Sequence, residues 1–317
     1  MRSVPRFLVL TIVALLDPRV VGLNTASAAP TTAAAGPQFM RIVDSGKQAS
    51  LESAIVTYRN GDGASVALIS AVHIGEKSYY ESLNQAFDKF EAVLYEMVKP
   101  KDAPMPSTTQ RADGPQHPIA RLQQFLKNVL GLEYQLDAID YGKKHFVHAD
   151  LDAETFARLQ RERGESLASL MLKSIMDALR NPEKARPALG PAFLDEAVDA
   201  LTKPDMERRL RRMLARSMGD VEATAAAFGQ NSVILDERNK AALGALKQTL
   251  AKGHKNVAIF YGAAHMPDLG RRLQEMGFKQ ESCEYLTAWD LTIRPEAPSA
   301  VDKLLDSTQK LLEKLLK

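Results

Sequence analysis

Two apolar segments, far apart in the chain, finish alike: Ser65 to His73 reads SVALISAVH and Asn256 to His265 reads NVAIFYGAAH. Each is rich in Val, Ala, Ile and Leu and long enough for one buried strand. Gly262 stands three positions before the second histidine and Ser70 three before the first. Small residues there let backbone or ligand come close and free the chain to turn out of a sheet. The pattern therefore predicts a histidine just beyond the end of each strand.

The surroundings of the first segment set its connectivity. Ala54 to Arg59 is also β-rich, and Asn60-Gly61-Asp62-Gly63 between the two runs is a hairpin signal. Lys77 to Phe90 places Tyr80, Leu83, Phe87 and Phe90 at helical spacing, and Ala92 to Val98 (AVLYEMV) returns to strand. Strand, helix and strand in this order form a right-handed βαβ unit with parallel strands, whose chain exits share one edge of the sheet. Lys99 to Pro118 reads as a long surface loop, Ile119 to Leu130 and Tyr134 to Tyr141 as helix, and His145 to Ala149 as a short strand. Residues 153–252 are helical in pattern, with Pro and Gly breaks, and are expected to form an all-α insertion capping the sheet. A strand at Asn256 to Tyr261, a helix at Met266 to Met276 and one or two strands in Phe278 to Thr292 close the domain. The expected fold is α/β: a mixed, largely parallel central sheet flanked by helices over 39–292.

Residues 1–28 read as an export signal, with Arg2 and Arg6 before the apolar run Phe7 to Leu16 and Ala26-Ser27-Ala28 as the cleavage site. A membrane-spanning helix needs about 20 apolar residues, so this run is expected to be removed, leaving a flexible leader at 29–38 and a periplasmic or secreted product. Beyond residue 28 the chain is neutral, because three arginines against one aspartate in the signal carry the whole +2. Neutrality gives no electrostatic case for nucleic acid. The single cysteine, Cys283, excludes an intramolecular disulfide. Residues 299–317 carry an amphipathic leucine stripe that packs on the core or, as the alternatives, supports a homodimer or a membrane-surface contact.

In a parallel α/β sheet, groups just past the carboxyl ends of the strands share one crevice. His73, Glu96, Asp150 and His265 meet that condition. Two imidazoles with one or two carboxylates suit a divalent metal that activates water; the same set suits metal-free acid–base catalysis. Glu96 interrupts an apolar strand, where a carboxylate needs a neutralising partner, and a structural salt bridge is the plainer account of it. Asp150 also reads as a turn or cap residue, and His148, on the same strand face as Asp150, is an additional candidate. Arg208, Arg209, Arg211, Arg212 and Arg216 read as a solvated helix face. Arg238, after Asp236-Glu237, is either exposed helix charge or an inward arginine that stabilises an anion. No P-loop, dinucleotide fingerprint, nucleophile elbow or H-E-x-x-H motif occurs in the sequence.

With these residues in view, the chain resembles the TraB/PrgY/GumN family, which is related to the TIKI metalloproteases and more distantly to the erythromycin esterases and ChaN-like haem-binding proteins. The likeness rests on the strand ending at His73, the glutamate of VLYEMV, QLDAIDYGKKHFVHAD with Asp150, the triplet Glu237-Arg238-Asn239, and GAAHMPDL. It spans about Phe39 to Leu291. The family carries two GxxH motifs; the second is intact as Gly262 to His265, and the first reads Ser70-Ala71-Val72-His73. The resemblance implies an α/β core with a helical insertion and an exported metal-dependent hydrolase, a peptidase using Mn, Co or Zn, with His73, Glu96 and His265 as the site and Arg238 nearby. Under this reading His73 and His265 bind the metal, Glu96 is ligand or general base, Arg238 steadies an oxyanion, and the substrate is a peptide or small ester. The alternatives it implies are a metal-free esterase with a histidine base and a non-catalytic periplasmic haem- or metal-binding protein.

Overall fold

The computed structural model describes residues 36–101, 103, 129–165, 198, 200, 205–218, 221, 225 and 232–293. The expected signal, most of the expected leader and of the 99–118 loop with His117, residues 119–128 of the expected 119–130 helix, much of the expected helical insertion and the C-terminal stripe lie outside the described residues.

Seven strands form the main sheet: β1 (Met40–Asp44), β2 (Ala49–Arg59), β3 (Ser65–Ala71), β5 (Ala92–Tyr95), β7 (Phe146–His148), β8 (Asn256–Gly262) and β9 (Lys279–Asp290). Short β4 (Ile74–Gly75) and β6 (Glu133–Tyr134) pair separately. The order is β1-β2-β3-β8-β5-β7, with β9 along the other side of β2. β3, β8, β5 and β7 are mutually parallel, and the β1, β2 and β9 pairings are antiparallel, so the sheet is mixed and largely parallel as expected. The hairpin forms where expected: Asn60 Oδ1 accepts from Asp62 N–H and Ala64 N–H, closing the turn between β2 and β3. The strand β1 was not expected from the sequence; its outer half is exposed and lacks the apolar run that marks the others.

Side chains along β3 and β8 alternate between two cores. Ala67, Ile69, Ala258 and Phe260 face α1 (Lys77–Phe87), which contributes Tyr79, Tyr80, Leu83 and Phe87. Val66, Leu68, Val257, Ile259 and Tyr261 face α5 (Arg238–Ala251) and α6 (Met266–Glu275) through Leu243, Leu246, Leu269 and Leu273. Both faces of the central strands are therefore dry, which is why the sequence shows continuous apolar runs there. The β3–α1–β5 crossover is the expected βαβ unit, and β8 inserts between its strands.

The expected insertion is helical where it is described, and two other expectations need correction. Within 153–252 the described elements are all helical: α3 (Ala153–Glu162), α4 (Met206–Met218), a π-helical turn (Val233–Glu237) and α5. Of these, α5 covers a face of the sheet, with Ala242, Leu243 and Leu246 buried against it. The 134–141 helix is only the single turn α2 (Gln135–Ala138). Arg216 is exposed as expected, but Arg211 and Arg212 of α4 are not part of a solvated face. Arg211 is buried and donates to Glu76 Oε1 at 2.7 Å, Leu130 O at 2.8 Å and Asp290 O at 3.2 Å, while Arg212 donates to Leu291 O. These bonds fasten α4 to the end of β9 and to the segment entering β6, and no helix-wheel pattern announces them. Among the described residues, no helix is long and apolar enough to cross a membrane.

Candidate functional site

The parallel strands deliver four side chains to one edge. Glu96 directly follows β5, His73 lies two residues past β3, Asp150 two past β7, and His265 ends the short 3-10 turn after β8. Glu96 is thus beyond its strand and not within it as AVLYEMV suggested; its N–H still bonds to Phe260 O at 3.1 Å. Gly262 shows how tightly the groups converge. A Cβ there would stand 3.2 Å from Glu96 Oε2, 3.5 Å from His73 Nε2 and 3.8 Å from His265 Cδ2. Its backbone is extended, at φ −53° and ψ 143°, so glycine serves for space and not for conformation. The freed N–H donates to Glu96 Oε2 at 2.6 Å.

Each imidazole is oriented by an amide oxygen. His73 Nδ1 donates to Gln135 Oε1 at 3.0 Å, and Gln135 Nε2 donates in turn to Tyr141 Oη at 2.8 Å. His265 Nδ1 donates to Asn239 Oδ1 at 2.7 Å. Both rings therefore turn Nε2 toward the shared carboxylate, and His265 Nε2 lies 3.6 Å from Glu96 Oε1. Tyr261 packs edge-on against His265 with centroids 5.1 Å apart and donates to Ala149 O.

Arg238 is the buried cation of the site. The π-helical turn, whose N-terminus Ser232 caps by accepting from Ile234 N–H, inserts an extra residue before α5. It brings consecutive Arg238 and Asn239 to the sheet edge. Arg238 Nε and Nη2 hold Asp150, at 2.9 Å to Oδ1 and 2.6 Å to Oδ2, and Nη2 also contacts Glu96 Oε1 at 2.7 Å. Burial works against the guanidinium's charge, but Asp150 and Glu96 outweigh it and raise the pKa. Burial likewise works to raise the Glu96 carboxyl, and Arg238 with the neighbouring imidazoles overcomes it, holding the group well below its usual range. For His73 burial wins: its pKa is lowered from 6.5 despite Glu96 and the Gln135 hydrogen bond.

The expected site residues therefore divide. His73, Glu96 and His265 come together. Asp150 comes close only as the anchor of Arg238, with Oδ1 also accepting from Leu151 N–H, so it is not placed as a metal ligand. Arg238 Nε and Nη2 are committed to carboxylates and clamp the site. His148 donates to Met97 O at 2.6 Å and packs on Tyr95, which makes it a structural residue. Among the described residues no three His, Cys, Asp or Glu side chains are grouped to hold a metal ion. Both carboxylates are already engaged: Asp150 serves Arg238, and Glu96 divides between Arg238 and Gly262 N–H. A guanidinium against Glu96 also sets fixed positive charge beside the place a dication would take. The donor set does not fit a resident Mn, Co or Zn ion.

Sequence reasoning missed Gln135, Asp268 and the Gly262 N–H. Gln135 is 62 residues from its imidazole, and nothing in a local pattern singles it out. No protein-family model matches the chain, and no curated protein matches it.

Proposed function

We propose that this protein is a hydrolase of ester or amide bonds working by acid–base catalysis at the edge formed by β3, β5 and β8. The observation that carries the reading is the pair of imidazoles, each held at Nδ1 by an amide oxygen, whose Nε2 atoms face one ionised, arginine-clamped carboxylate. His73, neutral near physiological pH, takes a proton from water through Nε2 as the water oxygen bonds to the substrate carbonyl carbon. The tetrahedral intermediate then breaks its bond to the leaving oxygen or nitrogen, which receives a proton from an imidazole at the site. Glu96 supplies the counter-charge while a ring carries that proton; Arg238 keeps Glu96 ionised and aimed. His73 is the less buried of the two histidines, which favours it as the base. An exported peptidase of the TraB/GumN type is the particular form that the resemblance favours.

The test is turnover of a peptide library and of small chromogenic esters by wild type, His73→Asn and His265→Gln, with and without chelator. Turnover that survives chelator and is lost in both variants is expected. Equal turnover in wild type and His73→Asn would overturn the reading. Loss on chelation, restored by Mn, Co or Zn, would move it to the metal-dependent peptidase that the resemblance implies.

A further inference from the structure

We infer that Asp268 is a positioning residue for His265, acting through the Asn239 amide to decide which ring nitrogen carries the proton. Asn239 is fully buried, so each end of its amide must find a partner of the right polarity. Its Nδ2 donates to Asp268 Oδ2 at 2.8 Å, and its Oδ1 accepts from His265 Nδ1 at 2.7 Å. An ionised carboxylate only accepts. Turning the amide over would set oxygen against oxygen at Asp268, so the carboxylate forces the carbonyl end toward the ring. A neutral His265 ring must then carry its proton on Nδ1, with Nε2 facing Glu96.

Asp268 is itself fixed. Arg271 Nη2 holds Oδ1 at 2.5 Å and Arg272 Nε holds Oδ2 at 2.6 Å; the Arg272 guanidinium also pairs with Asp236 in the π-helical turn that presents Asn239. Burial works to raise the Asp268 carboxyl, and the bonds from Asn239 and the two arginines bring it below its ordinary value. A carboxylate in the first turn of α6 also has a purely structural use, as a partner of the helix dipole. That use involves neither Asn239 nor the ring, and it leaves the tautomer alone.

The catalytic meaning of this relay rests on the hydrolase reading; the tautomer does not. The test is a long-range 1H–15N correlation spectrum of the 15N-labelled chain in mildly alkaline buffer, with the His265 ring assigned by its absence in His265→Gln. Wild type is expected to show Nδ1 protonated and Nε2 bare. In Asp268→Asn, whose amide donates as well as accepts, a population protonated on Nε2 appears, while Asp268→Glu retains the wild-type pattern. The His73 ring, held by Gln135, stays unchanged in both and serves as the internal control for folding. A wild-type ring protonated on Nε2, or an unchanged Nδ1–H ring in Asp268→Asn, would overturn the inference. The spectrum needs no substrate, so a failed search for hydrolysis and a failed tautomer assignment are separate results.

Discussion

The two histidine arms are alike in backbone and unlike in support. His73 leaves β3 partly exposed and leans on a chain of neutral groups, Gln135 and then Tyr141. His265 leaves β8 buried and leans on Asn239, which is pinned by the charged Asp268. The residue three before each histidine differs as well. Gly262 admits the Glu96 carboxylate to its backbone, whereas Ser70 is fully buried with ordinary extended backbone and a hydroxyl that has no hydrogen-bond partner. The departure from glycine at 70 therefore costs no backbone strain, and it is the β8 arm, at Gly262, whose backbone N–H the carboxylate accepts. One strand end is built for access and the other for rigidity, with Glu96 and Arg238 shared between them.

The largest effect is expected where the arms join. Arg238→Met leaves Asp150 and Glu96 buried without their cation, which costs about 3–5 kcal/mol for a broken buried ion pair; equilibrium denaturation in urea measures it. A loss below about 1 kcal/mol would mean that the clamp is not what holds the site.

The Gly262 and Ser70 positions sharpen the contrast between the arms. Gly262→Ala places a methyl 3.2 Å from Glu96 Oε2 and displaces the carboxylate. A displacement of this kind lowers turnover by about 10²-fold. Ser70→Ala removes an unpaired hydroxyl and is expected to be neutral or slightly stabilising, within about 1 kcal/mol. Parallel kinetics and thermal melts of the two variants decide this, and equal effects would erase the asymmetry.

The smallest effect is in pH. Because folding lowers the His73 pKa below 6.5, the unfolded chain binds the proton more tightly. Stability is then fully present above 6.5 and is lost as pH falls from there through the folded value. The acidic limb of kcat/KM is expected below 6.5 as well. Gln135→Leu, which removes a hydrogen bond that favours the protonated ring, moves that limb to still lower pH. A limb at or above 6.5 in wild type, or one that does not move in the variant, would contradict the assignment of His73 as the base.

The runs SVALISA and NVAIFYG determined by themselves that two strands are buried on both faces, since continuous apolar sequence has no other stable place in a sheet. Topology rules then sent His73, Glu96, Asp150 and His265 to one edge. What each of them does there was decided by tertiary structure. Hydrogen-bond partners 26, 62 and 88 residues away commit Asn239 to His265, Gln135 to His73 and Arg238 to Asp150. Asp150 is consequently an anchor and not a ligand, and Arg211 and Arg212 of α4 are fasteners and not part of a solvated face. Periodicity records which way a side chain leaves its own element. It carries no information on which distant donor or acceptor meets that side chain, and in a buried polar site that meeting sets both charge and chemistry.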